Sequence, residues 1–150
     1  MHHDEEVIMK SPIFRKLAAW LFPTLLSSFS LCAVAETPAA MAERYAQRAA
    51  QEQAGFTPDP ARGEAFYRKN HGVSADMPGC YACHGADPRQ SGKHVVTGKT
   101  IAPMAVSANP ERFTDETKIE KWFRRNCKEV VGRECTAAEK ADFLAWLVHQ

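Results

Sequence analysis

Cys80-Tyr-Ala-Cys-His84 places two thiols three residues apart, with an imidazole directly after the second. That spacing suits one chemistry closely. Two thiols can add across the two vinyl groups on one edge of a porphyrin, and the adjacent imidazole can become the proximal ligand of its iron. The pentapeptide is thus read as the attachment site of a c-type haem, with Cys80 and Cys83 as covalent links and His84 on the iron. Gly85 follows, where the backbone must turn tightly beside the ring. Other uses of a C-x-x-C pair fail on context. No second Cys/His pair has zinc-finger spacing, and no βαβ pattern surrounds the motif as it would in a thioredoxin-like dithiol. One such motif means one haem.

The group opposite His84 then decides the function. A strong ligand held in both oxidation states makes an electron carrier, and a weak or departing one opens the iron to gases or catalysis. Met104, in Ala102-Pro103-Met104-Ala105, is a proline-flanked loop methionine of the kind ordinary carriers use. It lies only 20 residues beyond His84, a short path from one face of the haem to the other. His94 and His71 suit a haem edge, a propionate or the surface better than the iron. The remaining candidate is Asn126. Ile119, Trp122, Phe123 and Asn126 fall at i, i+3, i+4 and i+7, with Val130 continuing the stripe, so an amide sits on an otherwise apolar helical face. It could satisfy backbone groups at the helix end, or point at iron from a dry distal pocket lined by Ile119, Trp122 and Phe123. The pattern leaves both open. A catalytic haem enzyme would need proton donors, and none is placed in this stripe.

Cys127 and Cys135 remain once the haem cysteines are assigned. In an exported chain a disulfide between them is the natural reading, tying the end of one helix to the start of the next. Closing so short a loop contributes on the order of 2–3 kcal/mol.

The elements that must position these groups are helical. An alanine-rich segment over 39–54 carries Met41 and Tyr45 one turn apart. Asp59 as N-cap and Pro60 at the first helical position start a second helix reaching about Arg68, with Phe66 and Tyr67 toward the core. A third is expected from near Thr114, with Asp115 and Glu116 in its first turn, where the helix dipole favours acids. Thr136 and Glu139 form a capping box for a fourth, whose apolar face carries Phe143, Leu144, Trp146 and Leu147. No strand alternation is evident. The stretch 86–110 is rich in Gly, Pro, Ser and Thr, a long connection of the sort that packs around a cofactor.

The first 35 residues read as a secretory signal. Arg15 and Lys16 precede an apolar run from Leu17 to Val34, and Ala33-Val34-Ala35 is a cleavage site before Glu36. The acidic stretch from Met1 to Ile8 is unusual there, and Met9 would be a more natural start. Cys32 is read as lost with the signal. Cleavage removes Lys10, Arg15 and Lys16 from 19 bases and Asp4, Glu5 and Glu6 from 18 acids, leaving 16 against 15. So even a balance points to no nucleic acid and to no membrane surface. Lys118, Lys121, Arg124, Arg125 and Lys128 interleave with Glu116, Glu120 and Glu129, as on a solvated helix with i,i+4 pairs or a docking face for an acidic redox partner. The expected organisation is a signal peptide (1–35), a helical extension (36–58) and a monohaem domain (59–150).

From about Arg62 onward the chain resembles the sphaeroides haem protein family, small exported monohaem cytochromes c that bind oxygen. The likeness is carried by Cys80-Tyr-Ala-Cys-His-Gly-Ala-Asp87, Thr97-Gly-Lys-Thr-Ile-Ala-Pro103, Ser107-Ala-Asn-Pro-Glu-Arg-Phe-Thr-Asp115 and Ile119-Glu-Lys-Trp122. Arg125-Asn-Cys127, Val131-Gly-Arg-Glu-Cys135 and Glu139-Lys-Ala-Asp142 complete it. The haem motif is common to c-type cytochromes, but Arg-Asn-Cys with Gly-Arg-x-Cys is specific. The resemblance implies Asn126 as distal iron ligand, with the Cys127–Cys135 bridge beside it. It also implies an all-α, class I cytochrome c-like fold, small helices wrapped around one covalent haem, here with an extra N-terminal helix. Its first and last domain helices would cross at Gly63 and Phe66 against Trp146. Implied partners are a dihaem cytochrome c or membrane cytochrome b as donor and O2, NO or CO as ligands, for a monomer or weak dimer in the periplasm. Met104 departs from the pattern, where another apolar residue is expected.

Overall fold

The computed structural model describes residues 36–150, so the signal segment, Met9 and Cys32 lie outside the described residues. Helix α1 (Pro38–Glu52) starts where the Thr37 hydroxyl accepts from the Ala40 N–H at 3.1 Å, with Pro38 pre-set for the first turn. Met41, Tyr45 and Ala49, each one turn from the next, form its buried stripe. Helix α2 (Pro60–Arg68) is capped by Asp59, whose carboxylate accepts from the Ala61 N–H at 2.8 Å.

Helix α5 (Ala137–Val148) is the hub. Thr136 and Glu139 cap each other's backbone N–H groups reciprocally at its start, as the sequence suggests. It buries Ala141, Phe143, Leu144, Trp146 and Leu147 and packs against both α1 and α2. Gly63 is what lets α2 approach: a Cβ there would overlap the Asp142 carbonyl. The aromatic pairing at this crossing differs from expectation. Tyr67, one residue on from Phe66, meets Trp146 with ring centroids 5.0 Å apart, while Phe66 meets Phe143 edge-on at 6.2 Å. Asp142 is buried on the opposite side of the contact. Its carboxylate accepts from the Asp59 N–H at 2.7 Å and from Arg62 Nε and Nη2 at 2.7 and 2.9 Å, so the buried charge is fully partnered.

Helix α4 (Glu116–Asn126) begins two residues later than Thr114 suggested. Asp115 is the cap, accepting from the Lys118 N–H at 3.1 Å, while the Thr114 hydroxyl donates to the Glu111 carbonyl at 2.9 Å. α1 is clamped to α4 by charge. Glu116 accepts from Arg44 at 2.9 Å and from Arg48, and Glu120 accepts from the Tyr45 hydroxyl at 2.7 Å and Lys140 at 2.8 Å. The helix does not stop at Asn126. It widens into a π-helical turn over Cys127–Val131, ended by Gly132 in the left-handed region.

Two elements escaped the sequence. The haem motif itself forms a single helical turn, α3 (Tyr81–His84). In the long connection, β1 (Gly92–Lys93) pairs antiparallel with β2 (Thr100–Ile101), Gly92 opposite Ile101. Strands of two residues are too short for alternation to show. Among the described residues no helix is long and apolar enough to cross a membrane.

Two consequences are measurable. Gly63→Ala forces α2 off the α5 backbone and should cost about 1–3 kcal/mol in denaturant unfolding, the usual range for overpacking. Hydrogen bonds from Arg48 and Arg44 hold the Glu116 carboxyl below its ordinary 4.5. A carboxyl depressed on folding stabilises above its unfolded value and loses that contribution as pH falls through the folded one. Glu116→Gln should therefore lower the melting temperature at neutral pH, and the gap to the parent should narrow as the pH falls from the ordinary carboxyl value through the lower folded one.

Candidate haem site

α3 brings the chemistry-bearing residues of the motif together on one turn. The His84 N–H bonds back to the Cys80 carbonyl at 3.1 Å and the Gly85 N–H to that of Tyr81 at 2.8 Å. Neither Cys80 nor Cys83 takes part in a disulfide. Gly85 then takes φ +82°, the tight reversal foreseen after the motif. That reversal is held from α2: the Tyr67 hydroxyl donates to the Gly85 carbonyl at 2.6 Å, and Arg68 donates to that of Ala86 at 3.2 Å. β1 runs directly behind the turn, where a Cβ at Gly92 would overlap the Cys83 carbonyl and come within 2.7 Å of the His84 Cα.

The electrostatics of these groups argue against a redox dithiol. Burial pushes the Cys80 thiol up to about 11, away from the low-pKa thiolate that disulfide exchange needs. Burial, followed by the neighbouring Arg112 and His94, brings His84 down to about 4, so its imidazole is neutral near pH 7. Its Nδ1 is buried with no hydrogen-bond partner among the described residues. Nor does any group of three or more His, Cys, Asp or Glu side chains among them converge on a bare metal ion. Two cysteines on one helical turn, with a neutral imidazole directly after the second, fit a haem, which brings its own four nitrogens and needs only axial ligands from the chain.

The distal candidates separate. Met104 is buried, and the Pro88 carbonyl accepts from the Met104 and Ala105 N–H groups at 2.8 and 3.0 Å, tying this loop to the chain four residues past His84. His94 turns inward on its own hairpin, its Nδ1 accepting from the Val96 and Thr97 N–H groups at 3.2 and 3.3 Å. His71 rests edge-on against Phe66, centroids 5.1 Å apart. The predicted stripe on α4 is split. Ile119 is buried, and Phe123 joins the α1–α5 core against Tyr45 and Phe143 at 6.2 and 5.6 Å. Trp122 is 48% exposed between Lys121 and Arg125. Steps of about 100° per residue explain the division: Trp122 and Asn126 lie to one side of the Ile119–Phe123 edge.

Asn126 is the last α-helical residue, half-buried, and its side chain caps nothing. Cys127 and Cys135, joined as a disulfide with Cα atoms 5.6 Å apart, fix the backbone just beyond it. Two contributors gave no signal in the sequence. One is the Tyr67 hydroxyl on Gly85; the other is Arg112, whose charge reaches His84. Both act across the fold, and only a spacing rule for the whole family could have found them.

Covalent attachment gives a direct check. The parent protein should retain haem stain on a denaturing gel, either single cysteine variant should retain part of it through one thioether, and Cys80→Ala/Cys83→Ala should lose it entirely.

Comparison with known proteins agrees with this geometry. A family model described as a domain of unknown function, DUF1924, matches residues 53–147. The cytochrome c-type protein SHP of Cereibacter sphaeroides is 51% identical over 98 residues, covering 65% of this chain and 75% of that protein. Cytochrome c'' of Methylophilus methylotrophus is 39% identical over 92 residues, 61% of this chain and 64% of that one. Among solved structures, oxidised SHP, described as an oxygen-binding cytochrome c, superposes with a TM-score of 0.68 at 45% identity over 78% of this chain and all of its own. Oxidised cytochrome c'' gives 0.64 at 32% identity, over 74% of this chain and 92% of its own. With a class I cytochrome c-like fold and the attachment motif for one haem c, the chain belongs to the sphaeroides haem protein family of monohaem c-type cytochromes.

Proposed function

We propose that this is an exported, periplasmic cytochrome whose distal ligand, Asn126, leaves on reduction and admits O2, NO or CO. The observation that carries the reading is the Asn126 amide: half-buried beside Ile119, free of any capping bond and held at a helix end by the Cys127–Cys135 bridge. When bound, the haem supplies one-electron redox chemistry and, in its ferrous state, affinity for diatomic gases.

The rest is the work of the chain. Cys80 and Cys83 hold the porphyrin edge, and His84 presents a neutral imidazole to the proximal side. Asn126 offers an amide oxygen, a hard and weak donor that suits ferric better than ferrous iron. Such a donor would be released more readily from ferrous iron, and the freed amide N–H could then donate to a diatomic guest. Buried Ile119 shares the helix edge of Asn126, with Phe123 backing it from the core, while Trp122 on the same side stands half exposed. The rings of His71 and His94 are engaged elsewhere, which supports Asn126 over either histidine, while Met104, tied to Pro88 only through its backbone, is the alternative ligand. The oxygen binding attributed to SHP supports this reading. Electrons would come from another cytochrome, dihaem or membrane-bound, with α4 as one basic face available to it.

Absorption and EPR spectra of the holoprotein, ferric and ferrous, with and without CO, test it. Low-spin ferric iron that turns high-spin and five-coordinate on reduction, with immediate CO binding, is the expected result. Asn126→Ala should already be high-spin when ferric. Six-coordinate, low-spin iron in both states, indifferent to CO, would overturn the reading and leave an ordinary electron carrier with Met104 or a histidine on the iron.

A further inference from the structure

Arg112 stands apart from the other described arginines. Those are paired with Asp or Glu or, like Arg124, exposed. Arg112 is partly buried and has no carboxylate partner among the described residues. A guanidinium withdrawn from water without a counter-charge is unfavourable, and proteins keep one where a ligand completes it.

Its position is imposed by the backbone on both sides. The Arg112 N–H bonds to the Asn109 carbonyl at 2.9 Å, and Asn109 in turn donates through Nδ2 to the Pro103 carbonyl at 3.2 Å. Phe113 next to it takes φ +62°, a left-handed conformation that a bulky residue adopts only under constraint, while its ring packs on the core. Through Asn109 and Pro103 the segment is joined to the Met104–Ala105 loop, whose N–H groups bond to the Pro88 carbonyl four residues past His84, so the backbone holds residue 112 on the side of the haem motif. Haem presents two groups of the chemistry a fork-shaped guanidinium prefers, its propionate carboxylates.

The geometry points to Arg112 as the residue that binds a haem propionate and sets the electrostatic environment of the iron through it. A cation at that place disfavours the extra positive charge of ferric iron and keeps the propionate ionised. It is a positioning residue, since it acts on the iron through the carboxylate. The inference rests on the haem assignment alone and not on the identity of the distal ligand.

Redox titration of the holoprotein against pH, with Arg112→Gln and Arg112→Lys, tests it. Haem stain on a denaturing gel first verifies that each variant carries its covalent haem; a parent protein without stain would sink the cytochrome assignment itself. Arg112→Gln should shift the midpoint potential downward. The pH-dependent step in the potential should move to higher pH, because the propionate loses the cation that kept it ionised. Arg112→Lys should recover most of both shifts, since it keeps the charge and loses only the fork. An unchanged potential and pH profile in Arg112→Gln would overturn the proposal. So would a lowered melting temperature with the redox profile intact, which would mark Arg112 as a prop for its own loop.

Discussion

Backbone-to-backbone approach at Gly63 is the contact on which the haem motif depends. Because residue 63 has no side chain, α2 can lie against α5 at Asp142, and the next turn of α2 then places Tyr67 beside Trp146. From that seat the Tyr67 hydroxyl reaches the Gly85 carbonyl and pins the reversal that follows His84. Burial, then the neighbouring Cys80, raises the tyrosine's pKa well above its ordinary value, so it remains a donor at any physiological pH. A missing methyl group in one helix is thereby linked to the direction in which the chain leaves the proximal ligand.

The placement of α4 is organised by charge instead of close approach. α4 presents Glu116 and Glu120 to Arg44, Arg48, Tyr45 and Lys140, drawing on α1 and α5 together. Burial works against ionisation of Glu120, yet hydrogen bonds from Lys140 and Tyr45 outweigh it and hold the carboxyl below its usual value. Those contacts fix the axial rotation of α4, and with it which residues lie beside Ile119. The N-terminal helix therefore shares a core with the domain it precedes, through Met41, Tyr45 and Ala49, and also steers the helix that ends at Asn126.

What the sequence revealed was local chemistry. Asp59 with Pro60 and Thr136 with Glu139 are recognisable because a cap binds a backbone group two or three residues away. The C-x-x-C-H spacing is legible because a small rigid cofactor dictates it. Periodicity put Ile119, Trp122, Phe123 and Asn126 on one helix, but it could not divide the stripe: Phe123 went to the core and Trp122 outward because Tyr45 and Phe143 occupy one side. The pairing of Tyr67 rather than Phe66 with Trp146 was out of reach for the same reason. So were the Pro88–Met104 tie and the orientation of Arg112, both set by partners far along the chain or by a backbone conformation with no sequence signature.

The bond between Cys127 and Cys135 closes its loop at the residue directly after Asn126. The reach of that amide is thus set by a covalent tether and not by the fraying of a helix end, which would otherwise spread it over many orientations. Redox buffering of the surroundings acts on that tether. Where thiols are kept reduced the tether opens, and the same polypeptide would carry its amide on a loose end. The compartment in which the chain matures becomes in this sense a structural component of the helix end at Asn126, as decisive as any side chain around it.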